Sequence, residues 1–538
     1  MVLDFDRVGA VRTAGHDVCV VGAGAAGLSL AVGLIRSGRR VLLLEGGRAG
    51  FDPASQRLYL GETDGLPFDG LSHGRCRVLG GTTTQWGGQV LEIDPHVFGP
   101  RAWLPGGEWP IAAGELEPHY ARALELEGLT RACGDAAEIW RVLDPERPDF
   151  GADLVSAFSK WCPETNFWKR HGPELSGSPL CTIYTGANAS ELIRADDGST
   201  LRAVRCRSFG GRSVDFEAAH FVLAMGAIET CRLLLQPTRD GSTSPWSRFG
   251  LVGRHFQEHI CCTVATLETL QPQRARRWFD YAAVNGHRYH PKLKLSAATQ
   301  ARLQTLDVCG SVAVTTTGHD DLTYAFETYR LLRSRRLDEL TSARLAHFAR
   351  HLPALAWHKI PYAQRAQRGA QPMFKLVVSC EQTPLSAGRI SLTTETDELG
   401  LFRPRVSWRA SDVERRSIRS FIEVARGAFE AAGIGCVRSD PGVMDDDDAL
   451  DALFRTSHHH LGGVRMAKAP AEGVVDPDLR IHGTANVFVC SSGVFPCAGF
   501  ANPTHTIIAL ATRLAEHLAA ARQRPHRVAH RLAPAGSV

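Results

Sequence analysis

The chain has 538 residues, of which 44% are hydrophobic and 22% charged. This composition is ordinary for a globular protein of about two to four domains, and it excludes a mostly disordered chain, a fibrous protein and a small disulfide scaffold. The 61 Lys and Arg residues nearly balance the 57 Asp and Glu residues, so we expect no nucleic-acid partner, because such proteins concentrate positive charge.

The cysteines and the N-terminal residues indicate the cellular setting. The 14 cysteines are scattered and form no Cys-x-x-Cys pair, so we expect reduced thiols and neither a zinc ribbon nor an iron–sulfur cluster. Residues 1–15 lack the apolar core of a secretory signal. The longest apolar stretch, 18–35, is interrupted by glycines. We therefore expect a cytoplasmic protein without a membrane span.

A nucleotide-binding pattern comes first along the chain. Residues 17–21 are typical of a buried strand, a glycine-rich turn and an apolar helix follow, and a second strand over 40–44 ends at Glu45. This order matches the dinucleotide fingerprint, in which a tight turn places a pyrophosphate at a helix N-terminus and the acid binds ribose hydroxyls. The residues that it assigns to the nucleotide are Gly22, Gly24, Ala25, Ala26, Gly27 and Glu45.

A second glycine-rich segment, 74–94, surrounds a polar and aromatic centre. Glycine pairs at both ends allow the backbone to lie flat against a ring or a phosphate. The candidate contact residues are Gly80, Gly81, Thr82, Thr84, Gln85, Trp86, Gly87 and Gly88.

The middle of the chain divides into two parts. Residues 181–240 contain strand patterns and a buried strand over 220–224 that leads into a helix, as expected for a return to the nucleotide domain. Residues 263–450 lack the strand–helix alternation and predict a separate sheet-based domain with a helix over 412–432. The basic stretch 330–350 is interpreted as a solvated helix face.

The C-terminal part is the richest in polar chemistry. His458, His459 and His460 precede Gly462, and a strand over 487–490 follows. Asn502 and Pro503 then form a typical helix start, for a helix that runs to about residue 520. A metal site is disfavoured, because adjacent histidines point in different directions and no carboxylate or cysteine stands at ligand spacing.

These segments together resemble the glucose–methanol–choline (GMC) family of FAD-dependent alcohol oxidoreductases. The resemblance covers the fingerprint, Gly80 to Gly88, 221–235, 252–259, 381–382, 459–466 and 474–517. Within the family the sequence looks closest to bacterial sugar- and glycoside-oxidising members and to the pyranose-oxidase-like branch.

The resemblance implies an α/β plus α+β fold. A Rossmann-like FAD domain, discontinuous in sequence, would comprise 14–135, 180–262 and 451–525. A substrate domain built on an antiparallel sheet would comprise 136–179 and 263–450, and 526–538 would be a basic tail. The further cofactor contacts that the resemblance implies are Ala187, Ala224, Gly226, Ser491, Asn502, Pro503 and Thr504.

The resemblance also assigns the catalytic pair. Counting back three residues from Gly462 places the family's catalytic histidine at His459, and its partner is Asn502. A neutral imidazole is a suitable acceptor for the proton of an alcohol, and an amide can orient the hydroxyl without taking its proton. We interpret His458, His460 and His259 as structural, and the role of His505 stays open between the substrate site and the core.

Gln85 stands where flavin-linked relatives have a histidine, so we expect non-covalent FAD. The expected partners are a small-molecule alcohol and an electron acceptor, either O2, a quinone or a separate carrier, because no haem motif is present. The substrate and the oligomeric state stay open. Two other functions also stay open: a flavin-containing lyase, and a flavin monooxygenase, which would need a second nucleotide fingerprint.

Overall fold

The computed structural model describes residues 1–129, 136–144, 146–238, 241–316, 340–358 and 372–520, with a few positions between 324 and 332. The predicted tail 526–538 and most of the basic stretch before residue 340 lie outside the described residues.

In the described part the strands are Val2–Asp4 (β1), His16–Val21 (β2), Val41–Glu45 (β3), Glu62–Gly65 (β4), Gln89–Val90 (β5), Leu154–Trp161 (β6), Cys181–Thr185 (β7), Asn188–Arg194 (β8), Leu201–Arg207 (β9), Ser213–Leu223 (β10), Ile260–Glu268 (β11), Ala282–Val284 (β12), His287–Leu295 (β13), Val308–Thr316 (β14), Pro372–Cys380 (β15), Arg389–Thr396 (β16), Phe402–Trp408 (β17), Cys436–Ser439 (β18), Arg455–Thr456 (β19) and Val487–Val489 (β20).

The helices are Ala25–Arg36 (α1), Pro53–Arg57 (α2), Pro95–Phe98 (α3), Ala113–Glu127 (α4), Ala136–Leu143 (α5), Phe167–Gly177 (α6), Gly226–Leu235 (α7), Pro272–Phe279 (α8), Ala297–Leu303 (α9), Ser342–His358 (α10), Asp412–Ala431 (α11), Asp447–Asp451 (α12) and Pro503–Ala520 (α13). Among the described helices, none is long and apolar enough to cross a membrane.

The first sheet is built around parallel strands drawn from distant parts of the chain. Its order is β1-β7-β3-β2-β10-β9-β8, and β20 also pairs with β10. The pairs among β1, β7, β3, β2, β10 and β20 are parallel, whereas β9 and β8 join in antiparallel fashion. Strand β3 is completely buried and β2 is buried except at Asp17, as expected for a parallel sheet with helices on its faces. Helix α1 packs between this sheet and α13.

The second sheet is antiparallel and has the order β18-β11-β15-β14-β13-β6-β5, with β12 paired to β13 and β19 to β11. One face packs against α11: the buried Phe421 lies directly over Gly310, where an added Cβ would come within 2.6 Å of its ring. A third sheet, β16-β17-β4, is small.

Three of the predicted domain boundaries disagree with the strand pairing and packing. β1 belongs to the first sheet although it precedes residue 14, and β5 pairs with β6 in the second sheet although it lies within 14–135. Helix α6, which falls within 136–179, packs on α1 and β7. Strands of two or three residues give no periodic signal, and the amphipathic α6 does not reveal which sheet it covers. The rest of the proposed division stays a prediction.

Candidate active site

A large cavity lies at the carboxyl ends of the parallel strands. Its volume is about 1090 Å³, and its wall includes Val21, Glu45 and Ala224 at the ends of three neighbouring strands, together with His459 and Asn502. Ligands of open α/β sheets bind in this place, because the loops after the strands diverge there.

The glycine turn at the start of α1 is shaped for a phosphate. An added Cβ on Gly27 would lie 1.9 Å from the Gly22 carbonyl oxygen, and Gly22 has a φ of +104°, so both positions require glycine. A Cβ on Gly24, in contrast, would meet no atom within 4 Å. Gly24 caps α1 without a side-chain hydrogen bond, so the first N–H groups of the helix are available to an anion.

The carboxylate of Glu45 holds the backbone of this turn in place. One carboxylate oxygen accepts the Ala23 N–H at 2.8 Å and the other accepts the Gly47 N–H at 2.7 Å. The side chain is buried, and burial raises the pKa of Glu45 despite these two hydrogen bonds. Each carboxylate oxygen has a second lone pair, so Glu45 can still accept a hydroxyl from the cavity.

The second glycine-rich loop forms a short 3-10 turn over Gly81–Thr84. Thr83, which the sequence reasoning passed over, holds the turn: its hydroxyl donates to the Gly80 carbonyl at 2.5 Å and accepts the Phe167 N–H at 3.1 Å. The Trp86 indole N–H donates to the Thr165 carbonyl at 2.7 Å. Gln85 is exposed and lies on the cavity wall.

The structure brings most of the candidate residues to this one cavity. Those that line it are Gly22, Gly24, Ala25, Ala26, Glu45, Gly81, Thr82, Thr84, Gln85, Trp86, Gly87, Ala187, Ala224, Gly226, Ser491, Asn502, Pro503, Thr504 and His459. Gly27, Gly80 and Gly88 do not line it. They lie behind the wall, where an added Cβ would meet Gly22, Asn166 or Thr165.

A buried cluster of charges on the same wall was missed from the sequence. Arg75 donates to Glu229 at 3.1 Å, and its guanidinium lies 3.8 Å from the centre of the Tyr59 ring. Arg232 donates to Asp397 at 2.6 Å. The partners lie between 154 and 165 positions apart in the chain, so no local pattern identifies them. These ion pairs join the segments around Arg75 and Asp397 to helix α7, which contains both Glu229 and Arg232.

His459 and Asn502 face each other at the other end of the wall. Asn502 Nδ2 lies 3.4 Å from His459 Nε2, and His459 Nδ1 lies 2.9 Å from Nδ1 of His259. If the amide donates to Nε2, the neutral imidazole has its proton on Nδ1 and donates it to His259. Burial, followed by the neighbouring His259, His458 and His460, lowers the pKa of His459 well below its usual value of 6.5. His459 is therefore a neutral base at neutral pH.

Three buried carboxyl groups hold the backbone on either side of this pair. Glu258 accepts the backbone N–H of His459 at 2.7 Å. Glu381 accepts the Gly499 N–H at 3.1 Å and receives two hydrogen bonds from Arg101 at 2.7 and 2.8 Å. Asp307 accepts the Phe500 N–H at 3.2 Å. The loop of the histidine and the segment before Asn502 are thus both fixed to the end of the second sheet.

The other histidines differ in their surroundings. His460 is buried and packs on Phe68 and Phe256, with ring centres 5.6 and 6.3 Å apart. His458 lies on the cavity wall near Asp69, at 3.9 Å. His505 lies behind the wall and binds Glu127 at 2.9 Å, with both side chains buried. His259 contacts His459 directly, so it takes part in the site and is not purely structural.

Comparison with known proteins agrees with this geometry. Residues 384–511 match the sequence profile of GMC oxidoreductases. The chain is 23% identical to 2-methyl-1,2-propanediol dehydrogenase of Mycolicibacterium austroafricanum, over 93% of this chain and 95% of the relative, and 24% identical to paromamine 6'-oxidase of Streptomyces fradiae, over 96% and 92%. The chain therefore resembles the GMC oxidoreductases.

Solved structures show the same fold. Pyridoxine 4-oxidase from Mesorbium loti superposes with a TM-score of 0.59 at 18% identity, covering 94% of this chain and 99% of that structure. A fungal aryl-alcohol oxidase superposes with a TM-score of 0.57 at 14% identity, covering 95% and 99%.

The chain is an FAD-dependent enzyme that acts on CH–OH donors. The cavity fits this cofactor. The open side of Gly24 and the free N–H groups of α1 suit its pyrophosphate, Glu45 suits its ribose, and the wall between Thr82 and Gly87 reaches the end where His459 and Asn502 lie.

Proposed function

We propose that this enzyme oxidises a hydroxyl group of a sugar, a glycoside or another polyol to a carbonyl, with His459 as the general base and Asn502 as the group that orients the hydroxyl. The observation on which the proposal rests is the 3.4 Å approach of Asn502 Nδ2 to His459 Nε2 on the cavity wall. One hydroxyl oxygen can lie within about 2.8 Å of both atoms at that separation.

The chain's own residues would prepare and receive the proton. His459 Nε2 has a free lone pair, because its other nitrogen donates to His259, and it accepts the hydroxyl proton. Asn502 then donates its N–H to a lone pair of the same oxygen, and the hydroxyl hydrogen points at Nε2 of His459. Bound FAD supplies the acceptor for the hydride that leaves the carbinol carbon. The two hydrogens of the alcohol thus leave as a proton and a hydride, and the carbonyl remains.

The substrate class follows from the resemblance and from the names of relatives. Two relatives are named for paromamine and for fructose: paromamine 6'-oxidase of Streptomyces fradiae and the fructose dehydrogenase large subunit of Gluconobacter japonicus, at 24% and 22% identity. The relative from Mycolicibacterium austroafricanum is named for a small diol. These names support a polyol and leave the individual compound open.

The decisive experiment is anaerobic bleaching of the enzyme-bound flavin by a panel of sugars, methyl glycosides and diols. We expect at least one polyol to bleach the yellow colour, and reoxidation by air or by a quinone then identifies the acceptor. If no alcohol bleaches a fully FAD-loaded enzyme, the proposal fails and the flavin-containing lyase alternative gains support. Dependence of the bleaching on NADPH would favour the monooxygenase.

A further inference from the structure

We propose that Glu258 is a positioning residue that works as a neutral carboxylic acid, holding the loop of His459 in place by accepting its backbone N–H groups. The catalytic part of this inference rests on the proposed role of His459. The state of Glu258 itself rests only on the contacts of its two oxygens.

The first oxygen of Glu258 organises the loop. Glu258 stands two residues before β11 and is completely buried. Its Oε1 accepts the N–H of His259 at 3.0 Å and the N–H of His459 at 2.7 Å. One atom therefore fixes the backbone of both histidines, whose Nδ1 atoms meet at 2.9 Å. A shift of Oε1 would therefore displace His459 and His259 together. His259 determines which nitrogen of His459 carries the proton.

The surroundings of the second oxygen, Oε2, indicate that it carries a proton. Oε2 has no hydrogen-bond partner, and the nearest ionisable group is Nε2 of His460 at 3.7 Å, which is also without a partner. Among the described residues no lysine or arginine forms an ion pair with Glu258, in contrast to Glu381, which Arg101 holds with two hydrogen bonds. A bare carboxylate in such a place is costly, and protonation removes that cost.

The surroundings agree with a proton on Oε2. The titratable groups that face Glu258 are His259 beside it, His459 and His460 on the opposite loop, and Asp69. Burial, with a small contribution from Asp69, raises the pKa of Glu258 to about 8, although backbone N–H groups of His459, His259 and Ser457 act to lower it. Burial also lowers the pKa of His460 well below 6.5, so its Nε2 can accept and would face the acid proton. A neutral Glu258 leaves His459 unprotonated and ready at neutral pH.

The test compares two replacements of nearly equal size in the FAD-loaded enzyme. Glu258→Gln has one accepting oxygen and one N–H donor, like a protonated acid, so flavin reduction should stay within about threefold of wild type. Glu258→Leu has neither group and should lose about 10²-fold, as expected when a reacting group is displaced by about 1 Å. Glu414→Gln is the matched control, because Glu414 is also buried and accepts backbone N–H bonds at Thr383 and Ser411.

Two further measurements separate this role from general stability. The infrared difference between wild type and Glu258→Gln at about pH 7 should contain the C=O band of a protonated carboxylic acid, and the Glu414→Gln difference should not. The pH profiles of flavin reduction in wild type and Glu258→Gln should coincide below about pH 7 and diverge above about pH 8, where Glu258 ionises.

Absence of the acid band, or a Glu258→Gln enzyme as slow as Glu258→Leu, would overturn the proposal. The infrared result does not depend on turnover, so it decides the state of Glu258 even if Glu258→Leu fails to fold. It also decides that state if no alcohol bleaches the flavin and the proposed function fails.

Discussion

His459 and Asn502 stand 43 positions apart in the chain, and their side-chain nitrogens Nε2 and Nδ2 lie 3.4 Å from each other. One belongs to the loop after β19 and the other directly precedes α13, so two separate segments must be held in place to form the pair. Glu258 fixes the first segment, and Glu381 and Asp307 fix the second. The geometry of the pair therefore depends on buried carboxyl groups at one end of the strands of the second sheet.

Replacement of His459 by alanine should abolish most of the chemistry and keep the cofactor. Loss of a general base typically costs about 10²–10⁴-fold in rate. We expect a yellow His459→Ala enzyme whose flavin reduction, followed by stopped flow with a bleaching polyol, is slower by that factor. His458→Ala is the control, because its ring lies towards Asp69, and it should react within a few-fold of wild type. A crippled His458 variant beside an active His459 variant would shift the base by one residue.

The rate of flavin reduction at acidic pH should reveal the protonation of His459. Burial and the neighbouring histidines lower the pKa of His459 well below 6.5, so its imidazole is neutral at pH 7 and becomes protonated only in acid. The rate of flavin reduction should be flat around pH 7 and should fall only at pH values well below 6.5. A rate that still rises steeply between about pH 6.5 and 7.5 would contradict a lowered pKa at the reacting base.

Glu45 should matter for holding the cofactor more than for the reaction. Glu45→Ala removes a ribose acceptor and also releases the N–H groups of Ala23 and Gly47, so we expect a larger FAD dissociation constant. Glu45→Gln keeps one acceptor oxygen and should lose less. Fluorescence titration of the apoenzyme with FAD measures both. Unchanged FAD affinity in Glu45→Ala would exclude the assignment.

FAD should leave the protein on denaturation. Gln85 lies exposed on the cavity wall. The resemblance implies that it replaces the histidine of flavin-linked relatives, and an amide forms no covalent bond to the flavin ring. After acid precipitation the yellow colour should be in the supernatant. Colour that stays with the washed pellet would show covalent attachment through another residue.

The buried pair of His505 and Glu127 should stabilise the fold in a pH-dependent way. Burial alone would lower the pKa of His505, but Glu127, with a smaller contribution from Glu92, outweighs it and raises the pKa to about 9. The contribution of this group to stability is thus fully present below pH 6.5 and is lost as the pH rises through about 9. His505→Leu should cost about 3–5 kcal/mol at pH 7, because it leaves Glu127 buried without a partner.

The double variant His505→Leu, Glu127→Leu should recover part of that loss, since it leaves no buried charge. Thermal unfolding of the wild type and both variants at about pH 7 and about pH 9.5 measures the difference. Equal stability of the single and the double variant would show that the pair is not ionic. Flavin reduction should change little in either, as His505 does not line the cavity.

The nucleotide end of the site could be predicted from the sequence because its determinants are local. Strand, glycine turn, helix and acid follow one another within 17–45, and the structure has them as β2, α1 and β3 with Glu45 at the end. The helix predicted over 412–432 is Asp412–Ala431, and the helix expected to run to about residue 520 is Pro503–Ala520. Long amphipathic helices and fingerprint turns are specified by neighbouring residues.

The support of the catalytic pair could not be predicted, because its contacts join distant positions. Glu258 meets His459 across 201 positions, and Arg101 meets Glu381 across 280. His259 was interpreted as structural because a single histidine beside a strand gives no indication of a partner 200 positions away. Thr83 was passed over because its role is to bind backbone groups of Gly80 and Phe167. Side chains of this kind are recognised only when the fold brings their partners together.

The pairing of β11 with β15 has a consequence for changes far from the cavity. Ile260 of β11 lies opposite Cys380 of β15. Glu258 and His259, which precede β11, and Glu381, which follows β15, therefore lie at the same end of the two strands. Side chains alternate between the two faces of a strand. A slip of one residue in the pairing of β11 with β15 would therefore turn the side chains of the shifted strand to the opposite faces of the sheet. Insertion of a single residue between 261 and 268 would therefore silence the enzyme without altering His459 or Asn502.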